Sequence, residues 1–293
     1  MSLTKITLEK KTELLLNDPA ALANHDAHAW QHLSRSDIDA IQIEALRRRF
    51  AQLRDRVPVL KKLADAEGVT RIDTLEDAVP LLFEHTVFKS YPPSLLEKKQ
   101  FAQINRWLGK LVTPEMAERI AAADVSACRS LDEWFATMDE AVPELRVSHT
   151  SGTSGTISFL PSSVREWEKA SSVRKLYIWN QAGPDMPDPN LHTVFPYFRK
   201  GYLSHVRANE FLIRALLPSE ANFHAAYPAT LSTDVLHLGA KLRAAHARGT
   251  LDRLEISPEL MEKKPANSRI SVASRVRNTE KTARLVAALQ ISM

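Results

Sequence analysis

Between His149 and Thr156 the chain reads His-Thr-Ser-Gly-Thr-Ser-Gly-Thr. Thr150, Ser151, Thr153, Ser154 and Thr156 place hydroxyls beside Gly152 and Gly155. Glycine admits positive φ and close approach of a ligand to the backbone. Successive N–H groups in such a turn form a concavity for anions. Residues 150–156 therefore suit a cradle for phosphate oxygens. It is not a Walker-type loop, because no Gly-Lys-Ser/Thr follows. The same composition also suits a plain surface turn. The apolar continuation Ile157-Ser-Phe-Leu160 favours a strand–loop–strand arrangement.

Other reactive side chains are sparse. His25, His28 and His32 are spaced for one helical face, but no Cys or carboxylate pattern completes a metal site, and none is expected. Cys128 is the single cysteine, which excludes an intramolecular disulfide and fits the reducing cytosol. No motif marks it as a nucleophile, and no catalytic residue is assigned. Arg47-Arg-Arg49 reads as a solvated helix face.

The elements that must position the loop follow from periodicity. Residues 1–34 are weakly patterned. A helix is expected from Ser36, with a capping-box-like pair at Ser36 and Asp39 and apolar residues Ile38, Ile41, Ala45, Leu46, Phe50 and Leu53. Pro58 ends or kinks it, and Gly68 closes the unit that follows. Further helices are expected over 94–110, 114–123 and 131–138. From Arg146 short strands alternate with helices: strands at 146–149, 157–160, 193–195 and 222–227, helices at 164–180, 203–217 and 233–248. A turn or loop is expected at Asp185–Asn190. The fold class is α/β, a helical N-terminal part packed on a mixed sheet.

The Thr-Ser-Gly-Thr-Ser-Gly pattern resembles the phosphate loop of the adenylate-forming superfamily. Phe88-Lys-Ser-Tyr-Pro-Pro-Ser94, Gln100-Phe and Trp107-Leu resemble the N-terminal region of its acyl-protein synthetase and phenylacetate-CoA ligase branches. Val194-Phe-Pro-Tyr-Phe-Arg-Lys-Gly201 is similar to their acyl-pocket segment. The resemblance covers roughly residues 35–262. It implies an incomplete adenylate-forming N-terminal domain over 35–264, helical to about 145 and α/β after. It also implies ATP and Mg²⁺ as cofactors, and activation of a carboxylic acid as an acyl-adenylate for transfer to a thiol or acyl-carrier acceptor. Loop residues 150–156 would hold the β- and γ-phosphates. Tyr197, Phe198, Arg199 and His205 would line or contact the acyl site. The chain departs from the family in several places. No Pro-Lys follows the loop, and Arg165 or Lys169 would have to supply that charge, although a solvated helix face is the plainer role for both. The adenine-gripping and ribose-binding motifs and the late catalytic lysine are not recognisable. A catalytically incomplete nucleotide-binding remnant or interaction module is the alternative to an active ligase.

Charge narrows the partners. Residues 265–293 carry five cationic side chains (Arg269, Arg275, Arg277, Lys281, Arg284) against Glu280 alone. That surplus equals the formal net charge of +4, so residues 1–264 are neutral overall. A nucleic-acid binder needs a basic face on its folded body, and none is expected. No apolar run has the length of a membrane span, and the N-terminus lacks a signal-type apolar region; a cytoplasmic protein is expected. The segment 265–293 is expected to be a loosely packed basic tail, consistent with a truncated or frameshifted product or with a divergent member.

Overall fold

A computed structural model describes residues 6–22, 33–152, 155–182 and 190–250. The tail expected at 265–293, the triad His25, His28 and His32, and most of the turn at 185–190 lie outside the described residues. The fold is α/β. The chain falls into two units. One comprises Met1–Cys128, Thr137–Arg146 and Pro161–Pro187; the other comprises Arg129–Ala136, Val147–Leu160 and Asp188–Met293.

The first unit is helical. Within residues 1–34, α1 (Leu8–Asn17) and α2 (Pro19–Leu22) form. Thr7 caps α1 by accepting from the Lys10 N–H. Ala20, Leu22, Ile41 and Leu176 share one apolar cluster, packed by Leu14, Leu15 and Ile38. The helix expected from Ser36 is α3 (Arg35–Leu53). Its capping box lies two residues earlier than expected, on Ser34 and Asp37. The Asp37 N–H donates to Ser34 Oγ at 3.1 Å, and the Ser34 N–H to Asp37 Oδ2 at 3.3 Å. The choice turns on which serine leaves the helix with extended φ/ψ, and Ser34 does. Pro58 opens α4 (Pro58–Ala66) at its first turn, where its missing N–H has no helical partner to lose.

The helix expected over 94–110 is broken into α5 (Ser94–Glu97), α6 (Phe101–Leu108) and a 3₁₀ turn at Gly109–Leu111. Lys99 has φ +52°, and the Gln100 N–H reaches back to the Leu95 carbonyl at 2.7 Å. This left-handed closure ends α5 without a glycine. Tyr91 packs edge-on against Trp107 at 5.1 Å, and the Trp107 indole donates to Ser90 Oγ at 3.0 Å. The Phe88–Ser94 segment is therefore anchored on α6. Next comes α7 (Pro114–Ala122); then α8 (Leu131–Ala141), β1 (Leu145–His149) and β2 (Phe159–Ser163) each contribute residues to both units, and α9 (Val164–Ala182) belongs to the first.

From residue 193 on, the described part of the second unit is a β–α–β–α run: β3 (Thr193–Gly201), α10 (Ser204–Leu216), β4 (Phe223–Leu231) and α11 (Thr233–Ala247). Among the described residues the expected mixed sheet is instead two two-stranded sheets, β1–β2 and β3–β4. β3 and β4 pair in parallel, and each continues well beyond the point where a proline should stop it. Phe195 pairs with Ala225 and Phe198 with Tyr227, so the extra residue falls around Pro196. Phe198 pairs with Tyr227 and Lys200 with Thr230, so the next falls around Pro228. Each proline, lacking an N–H, sits in a register shift where the ladder is already interrupted. Phe198, Leu203, Val206 and Leu231 form the apolar cluster beneath these strands. Trp134, Phe135 and Phe159 are fully buried and meet edge-on or tilted at 4.8–5.9 Å.

Two helix starts in this unit cap one another. Asp234, in the first turn of α11, accepts from the Leu131 N–H at 2.9 Å and the Asp132 N–H at 3.2 Å. Ser130 Oγ accepts from the Glu133 N–H, so the first three donors of α8 are all met. Asp132 returns the contact. Its Oδ1 accepts from the Thr233 N–H at 2.7 Å and its Oδ2 from the Ser232 hydroxyl at 2.5 Å. Ser232 Oγ in turn accepts from the Val235 N–H. Both carboxylates also face the positive ends of helix dipoles.

Asp234→Ala should lower stability by about 1–2 kcal/mol, since it strips two N–H groups of their acceptor. Asp234→Asn, which keeps one acceptor oxygen, should lose roughly half as much. Urea denaturation of the three proteins checks the order; equal stabilities would show that the caps contribute nothing.

Candidate functional site

The loop emerges where expected, between β1 and β2. At its mouth the Thr150 N–H donates to the Ser158 carbonyl at 3.1 Å, and the Ser158 N–H to Thr150 Oγ1 at 3.0 Å. Within it the Gly155 N–H donates to the Gly152 carbonyl at 2.8 Å. Ser151 is exposed, Thr150, Gly155 and Thr156 are half-buried, and Gly152 is buried. Thr153 and Ser154 lie outside the described residues. The loop is thus less open than a freely exposed turn, and two of its N–H groups are committed to its own backbone.

Both glycines are required by conformation and by space. Gly152 has φ +64° and Gly155 φ +92°. A Cβ on Gly152 would stand 2.7 Å from Ile157 Cγ2 and 3.3 Å from Ala240 Cβ; one on Gly155 would stand 2.7 Å from Ala244 Cβ. Ala240 and Ala244 are one turn apart on α11. Gly152 and Gly155 therefore lie directly against two small residues of that helix, a packing reason for the glycines beside any ligand.

His149, immediately before the loop, fixes its base. Its N–H donates to the Tyr202 carbonyl at 3.0 Å. Its ring Nδ1 lies 2.8 Å from the Thr150 carbonyl and its Nε2 3.1 Å from Thr233 Oγ1. A carbonyl only accepts, so Nδ1 carries the proton and Nε2 accepts from the Thr233 hydroxyl. Both side chains are fully buried, which makes this pair a lock on α11 rather than an accessible nucleophile and base. Burial pushes the His149 pKa down to about 4, with the Arg207 guanidinium adding to the effect and the Thr150 carbonyl opposing it. Arg207 is itself buried, donating to the Val147 carbonyl at 3.1 Å and lying over the Tyr202 ring at 4.9 Å. Burial likewise holds Asp132 above the usual carboxylate range, and the nearby Asp234 charge adds to it, against the bonds from Ser232 and Thr233.

The residues expected at the acyl site lie on β3 and α10. Phe198 is buried in the apolar cluster, and Tyr197 packs on it edge-on at 5.2 Å. His205 is exposed, with its ring 4.9 Å from Tyr197. Arg199 turns back on its own unit: Nη1 donates to the Phe223 carbonyl at 3.0 Å, Nη2 meets Glu220 at 3.3 Å, and the guanidinium covers the Phe223 ring. Of the cations considered as stand-ins for the missing loop lysine, Arg165 donates to Asn17 Oδ1 and Lys169 to the Leu16 carbonyl. Cys128 is buried beside Thr137, as suits a packing thiol.

Sequence reasoning did not single out His149, Thr233, Asp132 or Asp234 as partners. The Ser232-Thr-Asp234 run is a helix-start signature, but its partner lies about 100 positions upstream. Among the described residues no three His, Cys, Asp or Glu side chains converge as a metal site, and no helix is long and apolar enough to cross a membrane.

Two measurements test this geometry. Gly155→Ala should destabilise by about 1–3 kcal/mol, from overpacking against Ala244 and from positive φ. Combining it with Ala244→Gly should cost less than the sum of the two single changes, because the clash is then gone. His149 is held neutral in the fold, so its stabilisation is complete above pH 6.5 and is lost as pH falls toward about 4. That loss is on the order of 3 kcal/mol. Urea midpoints at pH 7 and pH 4.5 should fall further apart for the wild type than for His149→Gln.

Compared with protein-family models, with curated proteins and with solved structures, the chain gives no match in any of the three.

Proposed function

We propose that residues 150–156 bind the phosphates of a nucleotide, and that the chain serves ATP-dependent activation of a carboxylic acid for transfer to a thiol or acyl-carrier acceptor. The observation that carries the reading is local. A hydroxyl-rich loop leaves β1 with both glycines at positive φ, and it is pinned at its base by His149 and Thr150. A pinned loop with exposed Ser151 keeps its donors oriented before a ligand arrives, so less freedom is lost on binding. Mg²⁺ would neutralise phosphate charge as the carboxylate attacks, in keeping with the resemblance. Tyr197 and His205 would then face the acyl group.

A second reading is favoured by the cations. Arg199, Arg165 and Lys169 each donate to groups of their own unit, and no lysine directly follows the loop. On that reading the chain binds nucleotide without completing the chemistry, as a remnant or an interaction module.

Titrating ATP and pyrophosphate with Mg²⁺ into ¹⁵N-labelled protein separates these from no binding. Saturable shifts at Ser151 and Gly155 are expected. Ser151→Ala, which disturbs none of the loop's internal bonds at Thr150, Gly152, Gly155 and Ser158, should weaken binding by about tenfold, the effect of one hydrogen bond to a charged group. Absence of shifts at millimolar ligand would remove the phosphate assignment. Carboxylate-dependent ATP–pyrophosphate exchange by the same protein distinguishes the ligase from the remnant.

A further inference from the structure

The strands β3 and β4 begin side by side, and each brings a histidine to that end. His192 precedes Thr193, which pairs with Phe223; His224 follows Phe223. Nδ1 of His192 and Nε2 of His224 are 2.8 Å apart. The ring planes are nearly parallel, 14° apart with centroids at 5.0 Å. His192 is exposed and His224 half-buried. The other ring nitrogen of His192 lies 3.5 Å from Asn222 Nδ2, which also donates to the Leu191 carbonyl at 3.0 Å. Among the described residues the charged groups that bear on the pair are Arg199, which acts on His224, and through it Glu220.

Two ring nitrogens facing each other need something between them. A single proton serves, with one imidazole donating to the other; two protons repel. A metal ion serves as well. Imidazole nitrogens bound at ordinary lengths to one tetrahedral or octahedral ion sit about 2.9–3.3 Å apart. The observed separation of 2.8 Å is close to this range, and a turn of each ring about its side-chain bonds aims both lone pairs at one ion; His224 sits on β4 and His192 immediately before β3. His224 is kept below its ordinary pKa by burial, then by His192 and Arg199.

We propose that His192 and His224 form a two-imidazole chelate for a divalent transition-metal ion, bridging the beginnings of β3 and β4. On binding, the proton on the facing nitrogen moves to the far nitrogen of the same ring, and both facing lone pairs bond the ion. With two protein ligands the remaining positions are left to water. Such a site selects by the general affinity order, with Cu²⁺ ahead of Ni²⁺ and Zn²⁺, and excludes Mg²⁺ and Ca²⁺, which prefer oxygen ligands. It is separate from loop 150–156 in residues and in chemistry.

The probe is Cu²⁺ added to the full chain at pH 7.5 in a non-chelating buffer, followed by calorimetry and electron paramagnetic resonance. The wild type and His85→Ala, a change at an exposed histidine elsewhere, should bind one more equivalent than His192→Ala or His224→Ala. The double variant should lose no more than either single one. The resonance spectrum lost with the variants should carry splitting from two nitrogens. If either variant unfolds, Zn²⁺ titration of the wild type followed through the imidazole nitrogens decides, with joint shifts expected at His192 Nδ1 and His224 Nε2. Unchanged stoichiometry in the variants, an equal loss in His85→Ala, or imidazole shifts confined to one ring would overturn the proposal.

Discussion

Much of the second unit depends on the exchange of carboxylates between α8 and α11. A helix start exposes N–H groups that its own turns cannot satisfy. Here each start supplies the acceptor for the other, Asp234 to Leu131 and Asp132, and Asp132 to Thr233 and Ser232. The arrangement brings two acidic side chains into one neighbourhood, and burial raises the cost of charging Asp132. Against that cost stand the two hydrogen bonds that Asp132 accepts, from Thr233 and Ser232, and the positive end of α11. Removing one partner therefore harms both helices.

The loop inherits its shape from this joint. With the start of α11 fixed, Ala240 and Ala244 present a flat, small-residue surface further along the helix. Gly152 and Gly155 can lie on it only because they have no side chains. His149 closes the arrangement from the strand side, through Thr233 on the helix and Thr150 on the loop. Gly152 and Gly155 are thus held from the helix side and Thr150 from the strand side. The glycine spacing that suggests a phosphate cradle is also the spacing that matches a helical turn, and both demands act on the same two positions.

Elements marked by local chemistry were legible in the sequence. Pro58 and Pro114 open helices, Gly68 and Gly249 follow helices at positive φ, and the loop falls between two strands. Features set by distant or competing partners were not. Ser34 rather than Ser36 caps α3, because the backbone path before the helix decides between two serines. Lys99 takes a left-handed turn for which glycine would be the usual signal. Asp132 and Asp234 are ordinary helix-start acids until the fold brings them together. The candidate site was legible as a stretch of chain, but its burial against α11 and the engagement of Arg199, Arg165 and Lys169 depend on tertiary contacts that no spacing records.

The two interruptions in the β3–β4 ladder also bear on how the protein behaves in company. A short parallel sheet leaves strand edges on which another chain can add. Pro196 and Pro228 each delete a donor from such an edge, and the register shifts bend the strand where the donor is missing. An approaching strand would meet an uneven row of partners, in which a straight run of pairing is broken after a few residues. The prolines thus reduce the number of backbone donors that either strand can offer to a further strand.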